Sequence, residues 1–235
     1  MRLLVVGTGT GVGKTHVACT LIETWAARGV EAVGLKPIET GVEAGGESWD
    51  ATSDQSRLWA SSQTFHVKRA STSFHVKRPL YAFPDPVSPH LAARRAGTSI
   101  ELRAIDRWVG EHRAPVVVVE TAGGLFSPLG ERATNLDLVI ALAPTAVLLV
   151  APDRLGVLHD VTASLGLASA RGLPTPGLVL SAPGLPDAST GSNGPELARL
   201  GIAMPIAEFP RRDPSDAASR AAALLVVDWA ERLVR

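Results

Sequence analysis

Residues 7–15 read Gly7-Thr8-Gly9-Thr10-Gly11-Val12-Gly13-Lys14-Thr15, and these types in this order can hold a polyphosphate. Glycines let an anion approach the backbone with no Cβ in the way, and successive N–H groups of such a loop make a concave anion site. A lysine at the end of the loop neutralises terminal phosphate oxygens, and the threonine hydroxyl after it can hold Mg²⁺. A helical pattern begins at Lys14, so the positive end of a helix dipole also points at the site. The common spacing is Gly, four residues, then Gly-Lys-Ser/Thr. Here Thr8 stands five before Gly13, and Gly7 lies one step further back. The chemistry is that of a nucleoside triphosphate site; a glycine-rich turn without a ligand is the alternative.

Other residues could act beside it. Lys36 heads Lys36-Pro37-Ile38-Glu39-Thr40-Gly41, directly after an apolar run. In an open parallel sheet ligands sit at the carboxyl ends of the strands, which sets Lys36 and Thr40 near the phosphate loop. A lysine there can stabilise a phosphoryl group in transfer; an ordinary lysine before a turn is the bland reading. Glu120 ends the run Val116-Val117-Val118-Val119 and precedes Thr121-Ala122-Gly123-Gly124. A carboxylate at that place is suited to hold Mg²⁺ directly or through water. Asp50 and Asp54 flank a helix start; either could cap it, and either could supply the further carboxylate that a magnesium site with only Thr15 and Glu120 would use. Ser88-Pro89-His90 and Leu155-Gly156-Val157-Leu158-His159 read, on composition alone, as helix entries.

These residues need a scaffold. Apolar strand-like runs at 3–6, 32–35, 116–120, 146–150, 178–181 and 206–209 alternate with helical patterns, as in parallel βαβ units. The four consecutive valines are apolar on both faces, which predicts a central strand covered on both sides. Helices are expected over 14–28, with Gly29 past the end, over about 98–112 from the Thr98/Glu101 capping-box signature, over about 157–170 and over about 214–233. Segments 41–48 and 185–195 read as loops. The fold class is α/β: one P-loop NTPase-like domain over 1–235, a mostly parallel sheet with helices on both faces.

Bulk properties narrow the classes. Lys plus Arg and Asp plus Glu are each 23, a formal charge of zero, so no general basic field exists to hold nucleic acid or an anionic membrane. Apolar residues make up 46%, which excludes disorder for most of the 235 residues. The longest apolar stretch, between Asp137 and Asp153, is broken by Pro144 and too short to span a bilayer; it reads as helix end, turn and buried strand. Cys19 is the single cysteine, compatible with a reducing compartment. The opening Met-Arg-Leu-Leu-Val-Val is too short for a signal peptide, and a cytoplasmic location is expected. Phe65-His66-Val67-Lys68-Arg69 recurs as Phe74-His75-Val76-Lys77-Arg78, a period too short for a solenoid; it reads as a small surface duplication.

The ensemble resembles the dethiobiotin synthetases. The matching features are Gly7 to Thr15, Lys36-Pro37-Ile38-Glu39-Thr40-Gly41, Ser88-Pro89-His90, Glu120-Thr121-Ala122-Gly123-Gly124 with Ser127-Pro128, and Arg154-Leu155-Gly156. They occur in the family's order over residues 3 to about 210, and the longer phosphate loop is the family's own form. The resemblance implies a homodimer, a seven-stranded or similar parallel sheet, and 7,8-diaminononanoate, CO₂ or bicarbonate, and ATP with Mg²⁺ as reactants. It implies that Lys14 and Lys36 hold phosphate oxygens as the catalytic cations. Thr10, Gly11, Val12, Gly13, Thr15 and His16, with Glu120, Gly123 and Ser181, would border the nucleotide. Thr15, Glu120 and Asp54 would hold Mg²⁺, with Asp50 in reserve. Thr40 and Gly123 would meet the diamine or its carbamate. Leu155, Gly156 and His159 would grip the substrate carboxylate from the partner subunit. Ser181 stands where family members often carry an adenine-binding Asn. Cys19 has no part in such chemistry and is expected to be buried in the first helix.

Two other classes share the loop. Another ATP-dependent amidation synthetase, of the cobyrinic-acid type, usually brings a glutaminase domain for which this chain has no room. A switch ATPase of the partition or site-selection type carries a second lysine early in the loop, where Thr8, Gly9 and Thr10 stand.

Overall fold

The computed structural model describes residues 1–42, 52–67, 78–214 and 216–234. Asp50, most of the 41–48 loop and most of the duplicated segment lie outside them.

Among the described residues six strands form one parallel sheet. They are β1 (Arg2–Gly7), β2 (Ala32–Leu35), β5 (Val116–Glu120), β6 (Ala146–Pro152), β7 (Gly177–Ser181) and β8 (Ala207–Phe209). Their spatial order is β2-β5-β1-β6-β7-β8, every pair parallel. Two further strands, β3 (Ile38–Thr40) and β4 (Tyr81–Phe83), make a separate small parallel sheet. The six predicted strands are these six, with ends shifted by no more than two residues; β3 and β4 were not expected.

Side-chain alternation divides the core in two, as the period-two pleat requires. Leu3, Val5, Val116, Val118, Leu148 and Val150 face one side, against α1 (Lys14–Ala27), α2 (Asp54–Val67) and α8 (Ala217–Arg232). Leu4, Val6, Val117, Val119, Leu149 and Ala151 face the other. That side is covered by α3 (Pro89–Arg95), α4 (Leu102–Gly110), α5 (Asn135–Leu142), α6 (Val157–Ala170) and α7 (Asn193–Arg199). The central strands are thus buried on both faces, as the valine run predicts. Cys19 is buried in α1.

Helix starts differ from expectation in three places. The Thr98/Glu101 signature does not form a capping box: α4 starts at Leu102, with Glu101 extended at its N-cap. The Glu101 N–H, which a box would use, donates instead to the Tyr81 hydroxyl at 3.1 Å. A capping box does form at Thr134 and Asp137, opening α5. The last helix starts at Ala217, where Asp216 accepts the Ala218 N–H at 3.0 Å. Helix α7 begins inside the predicted 185–195 loop.

The crossover from β5 to β6 passes over β1, so the sheet switches direction at β1. The phosphate loop leaves β1 at that switch point, at the carboxyl edge where α/β sheets bind ligands.

Candidate nucleotide and metal site

The loop between β1 and α1 is fixed from both sides. Its Thr8 N–H donates to the Val150 carbonyl at 3.1 Å, and the Gly7 carbonyl accepts the Leu125 N–H at 2.8 Å. Gly11 and Gly13 have φ of 72° and 97°, the left-handed region open to glycine. Gly13 is the N-cap of α1, so the helix's free N–H groups open into the loop. Lys14 Nζ donates back to the Gly9 carbonyl at 2.8 Å. Burial lowers the Lys14 pKa to about 8, against an opposing pull from Glu120. Gly124, after β5, sits so near the Thr8 carbonyl that a Cβ there would lie 3.0 Å from it. The Asn135 amide ties this turn by donating to the carbonyls of Ala122 at 2.7 Å and Gly124 at 2.8 Å.

Beside the loop, Thr15, Lys36, Asp54 and Glu120 converge. Glu120, 1% exposed, accepts on Oε1 from the Thr15 hydroxyl and from Lys36 Nζ, each at 2.9 Å. Lys36 Nζ also donates to Asp54. Burial alone would lower the Lys36 pKa; Glu120 and Asp54 override it and hold the ammonium well above its ordinary value. The same lysine keeps Asp54 below the usual carboxylate range against its partial burial.

Two adjoining cavities open here. One, of about 440 Å³, is lined by Thr10, Gly11, Gly13, Lys14, Thr15, His16, Lys36, Asp54, Glu120 and Gly123 together with Arg57 and Arg211. The other, of about 400 Å³, shares Thr10, Lys36, Asp54 and Gly123 and adds Thr40, Glu39, Ser88 and Ser127 among its walls. Most sequence-predicted site residues therefore meet in one place. His16 Nε2 lies 2.9 Å from the Pro210 carbonyl, and burial lowers its pKa. Five predicted residues line neither cavity. Val12 is buried under the loop against Gly7. Ser181 is 2% exposed and lies beneath Gly13, where a Cβ would overlap its hydroxyl. Leu155, 81% exposed, and His159, also exposed, stand at the carboxyl end of β6 with Gly156, the N-cap of α6 at φ 94°. Gly156 lines neither cavity.

Sequence reasoning missed Arg57, Arg211 and Glu39. Arg211 follows the end of β8 by two residues, and the strand-end rule that found Lys36 would have found it. Its guanidinium reaches across to the Gly11 carbonyl at 3.4 Å.

The residues present fit a magnesium ion. Glu120 Oε2 is buried and has no hydrogen-bond partner among the described residues. It points to a cation absent from the protein's own atoms, since a lone buried carboxylate oxygen is costly. Among the described residues no cluster of three or more His, Cys, Asp or Glu forms a complete cage. Mg²⁺ takes one or two carboxylates and fills its octahedron with water and substrate phosphates, and Glu120 and Asp54 are two such carboxylates about one lysine. The arrangement can thus place a nucleotide's phosphates between two lysines and two carboxylates, with a second cavity across the shared wall.

Known proteins agree with this geometry. The sequence model of a family described as an AAA domain matches residues 1–219. The ATP-dependent dethiobiotin synthetase of Anaeromyxobacter dehalogenans strain 2CP-C is 39% identical over 227 residues, covering 94% of each chain. That of Nitrosospira multiformis is 38% identical over 177 residues, covering 74% of this chain and 73% of its own. Among solved structures, the cell division ATPase MinD of Pyrococcus furiosus superposes with a TM-score of 0.56 at 18% identity, covering 99% of both chains. A ParA family ATPase from Chlorobium tepidum gives 0.54 at 14% identity, covering 98% of this chain and 97% of its own. These two ATPases share the fold; by sequence, over nearly its whole length, the chain belongs to the family of ATP-dependent dethiobiotin synthetases.

Proposed function

We propose that this chain joins 7,8-diaminononanoate and CO₂ into dethiobiotin at the expense of ATP, through a carbamate and a carbamic-phosphoric anhydride. One amine nitrogen bonds the carbon of CO₂ and loses a proton. A carbamate oxygen then attacks the γ-phosphorus, and the bond to the departing ADP oxygen breaks. The second amine attacks the carbamoyl carbon, phosphate leaves, and a second proton is released as the cyclic urea closes. No side-chain nucleophile is needed, so the protein's task is alignment and charge neutralisation.

The observation that carries this reading is the shared wall. Thr10, Lys36, Asp54 and Gly123 border both cavities, so a nucleotide in one would meet a diamine in the other beside the Lys36 ammonium. Lys14 would hold the β- and γ-phosphate oxygens, leaving the Gly9 carbonyl to do so. Lys36 would face the γ-phosphate and the carbamate. Thr15, Asp54 and Glu120 would hold Mg²⁺, which when bound supplies further neutralisation of phosphate charge. Thr40 and Gly123 would line the diamine's path.

Leu155, Gly156 and His159 serve the same reaction only across a dimer. They stand at the same edge of the sheet yet outside both cavities, and the outer face of α6 leaves Leu167 48% exposed. A two-fold partner would bring this helix entry, with the positive end of its dipole, to the other subunit's substrate carboxylate.

The test is phosphate release from ATP with purified protein. Release should require both the diamine and bicarbonate, and a product of the cyclic urea's mass should accumulate with it. Release indifferent to both compounds would reassign the chain to a switch ATPase.

A further inference from the structure

We propose that Glu39 is a positioning residue for the magnesium site: its carboxylate anchors the first turn of α2 and so sets where Asp54 stands. The proposal rests on the assignment of Asp54 to the metal given above.

Glu39 lies at the middle of β3, is 5% exposed, and has both carboxylate oxygens committed. Oε1 accepts the Asp54 N–H at 2.6 Å, and Oε2 accepts the Gln55 N–H at 3.2 Å. These are free donors of the first turn of α2, where an anion is favoured by the helix dipole. A second tie runs alongside. The Lys36 backbone N–H donates to Gln55 Oε1 at 2.6 Å, while Lys36 Nζ holds the Asp54 side chain. The stretch from Lys36 to Glu39 and the turn of Asp54 and Gln55 are therefore stitched by four hydrogen bonds.

The stitch has a reason. Asp54 comes from a different segment than Thr15 and Glu120, and its side chain is about one-third exposed, so core packing alone does not fix it. Glu120 is set by a central strand and Thr15 by the phosphate loop. Without the Glu39 anchor, the Asp54 backbone would lose its hydrogen bond to the cleft, leaving the Lys36 contact to its side chain and the neighbouring Gln55 tie. Partners that orient a metal's ligands from behind commonly change metal affinity by about 10- to 100-fold when removed. Glu39 is also a wall of the second cavity, so a direct role toward a substrate ammonium is the competing reading.

Mn²⁺, read by electron paramagnetic resonance as free ion against the protein–ADP complex, is the probe. Glu39→Ala should weaken Mn²⁺ binding by about tenfold or more. Glu39→Gln, isosteric and still able to accept one of the two N–H groups, should weaken it less. KM for the diamine at saturating Mg²⁺ should stay within about twofold of wild type, because the anchored turn touches the metal side. Melting temperature checks folding, and if Glu39→Ala does not fold, Glu39→Gln decides. Asp54→Asn is measured in parallel. A shift in Asp54→Asn without one in the folded Glu39 variants overturns the anchor alone, and a raised diamine KM in those variants overturns it in favour of substrate contact. No shift in Asp54→Asn removes the metal assignment, and the proposal with it.

Discussion

Lys14 and Lys36 are the same residue type in opposite electrostatic settings. Lys14 meets mainly backbone and burial, which bring it down to about 8, whereas Lys36 is clasped by two carboxylates and held high. Removing each should therefore read differently. Lys36→Met should cut turnover by at least about 100-fold. It should also leave buried Glu120 without its cation, costing about 3 kcal/mol in the nucleotide-free protein. Mg²⁺ with ADP should restore much of that, which thermal melts with and without the ligand would show. Lys14→Ala should lose turnover with no such loss of stability; a parallel drop in melting temperature would contradict the contrast. Cys19 supplies a pH test. Burial pushes its thiol up from 9.0 to about 12, so the folded state keeps a proton that the unfolded chain gives up. Its contribution to stability is full below pH 9 and shrinks as pH rises from 9 toward 12. Urea unfolding of Cys19→Ala should therefore fall less steeply over that window than wild type, and native Cys19 should resist a thiol reagent at pH 8. Lys14, Thr15, Lys36 and Glu120 were legible because strand ends and a glycine loop mark them in the chain. Ser181 shows where that rule stops. It ends a strand, but it shares the side-chain parity of Val179, whose face packs against α1, so the pleat turns it under Gly13.

Elements followed the same division. The six main strands and α6 could be read because apolar runs and caps are local signals. Strands β3 and β4 could not: each is three residues long, β3 carries Glu39 and Thr40, and β4 lies in a short stretch between Pro79 and Pro84. The Thr98/Glu101 pattern misled because its N–H is claimed by Tyr81, twenty positions away. Gly34 tests how β2 is coupled to the helices above it. A Cβ there would lie 2.6 Å from Ile22 Cδ1, 2.9 Å from Leu58 Cβ and 3.1 Å from the Leu58 carbonyl, so α2 must give. Gly34→Ala should cost about 1–3 kcal/mol. Because α2 carries Asp54, it should also raise the Mg²⁺ needed for half-maximal activity. Gly130→Ala, with nothing within 4 Å of its Cβ, is the control and should stay within about 0.5 kcal/mol. Equal costs in the two variants would remove the packing explanation.

At the scale of the whole molecule, one edge of one sheet gathers the chemistry, and the part that fails to converge is informative. Among the described residues no helix is long and apolar enough to cross a membrane. Leu155 is 81% exposed and Leu167 48%, and the dimer proposed above would cover them. In such a dimer each reaction site takes its phosphate side from one chain and its α6 entry from the other. Mixing two inactive variants tests this directly. Lys36→Ala spoils the phosphate side. Gly156→Asp sets a carboxylate, and a side chain strained at φ 94°, at the helix entry, where open space leaves the rest of the fold undisturbed. In a heterodimer one site then carries both defects and the other carries neither. With free subunit exchange at equal amounts, half the dimers are mixed and each has one working site, so activity should return to roughly a quarter of wild type. Exchange is followed by mass-tagged subunits. Demonstrated exchange with no recovered activity, or full activity in a chain that sediments as a monomer, would leave Leu155, Gly156 and His159 without a role in the reaction and return the substrate carboxylate to contacts within one subunit.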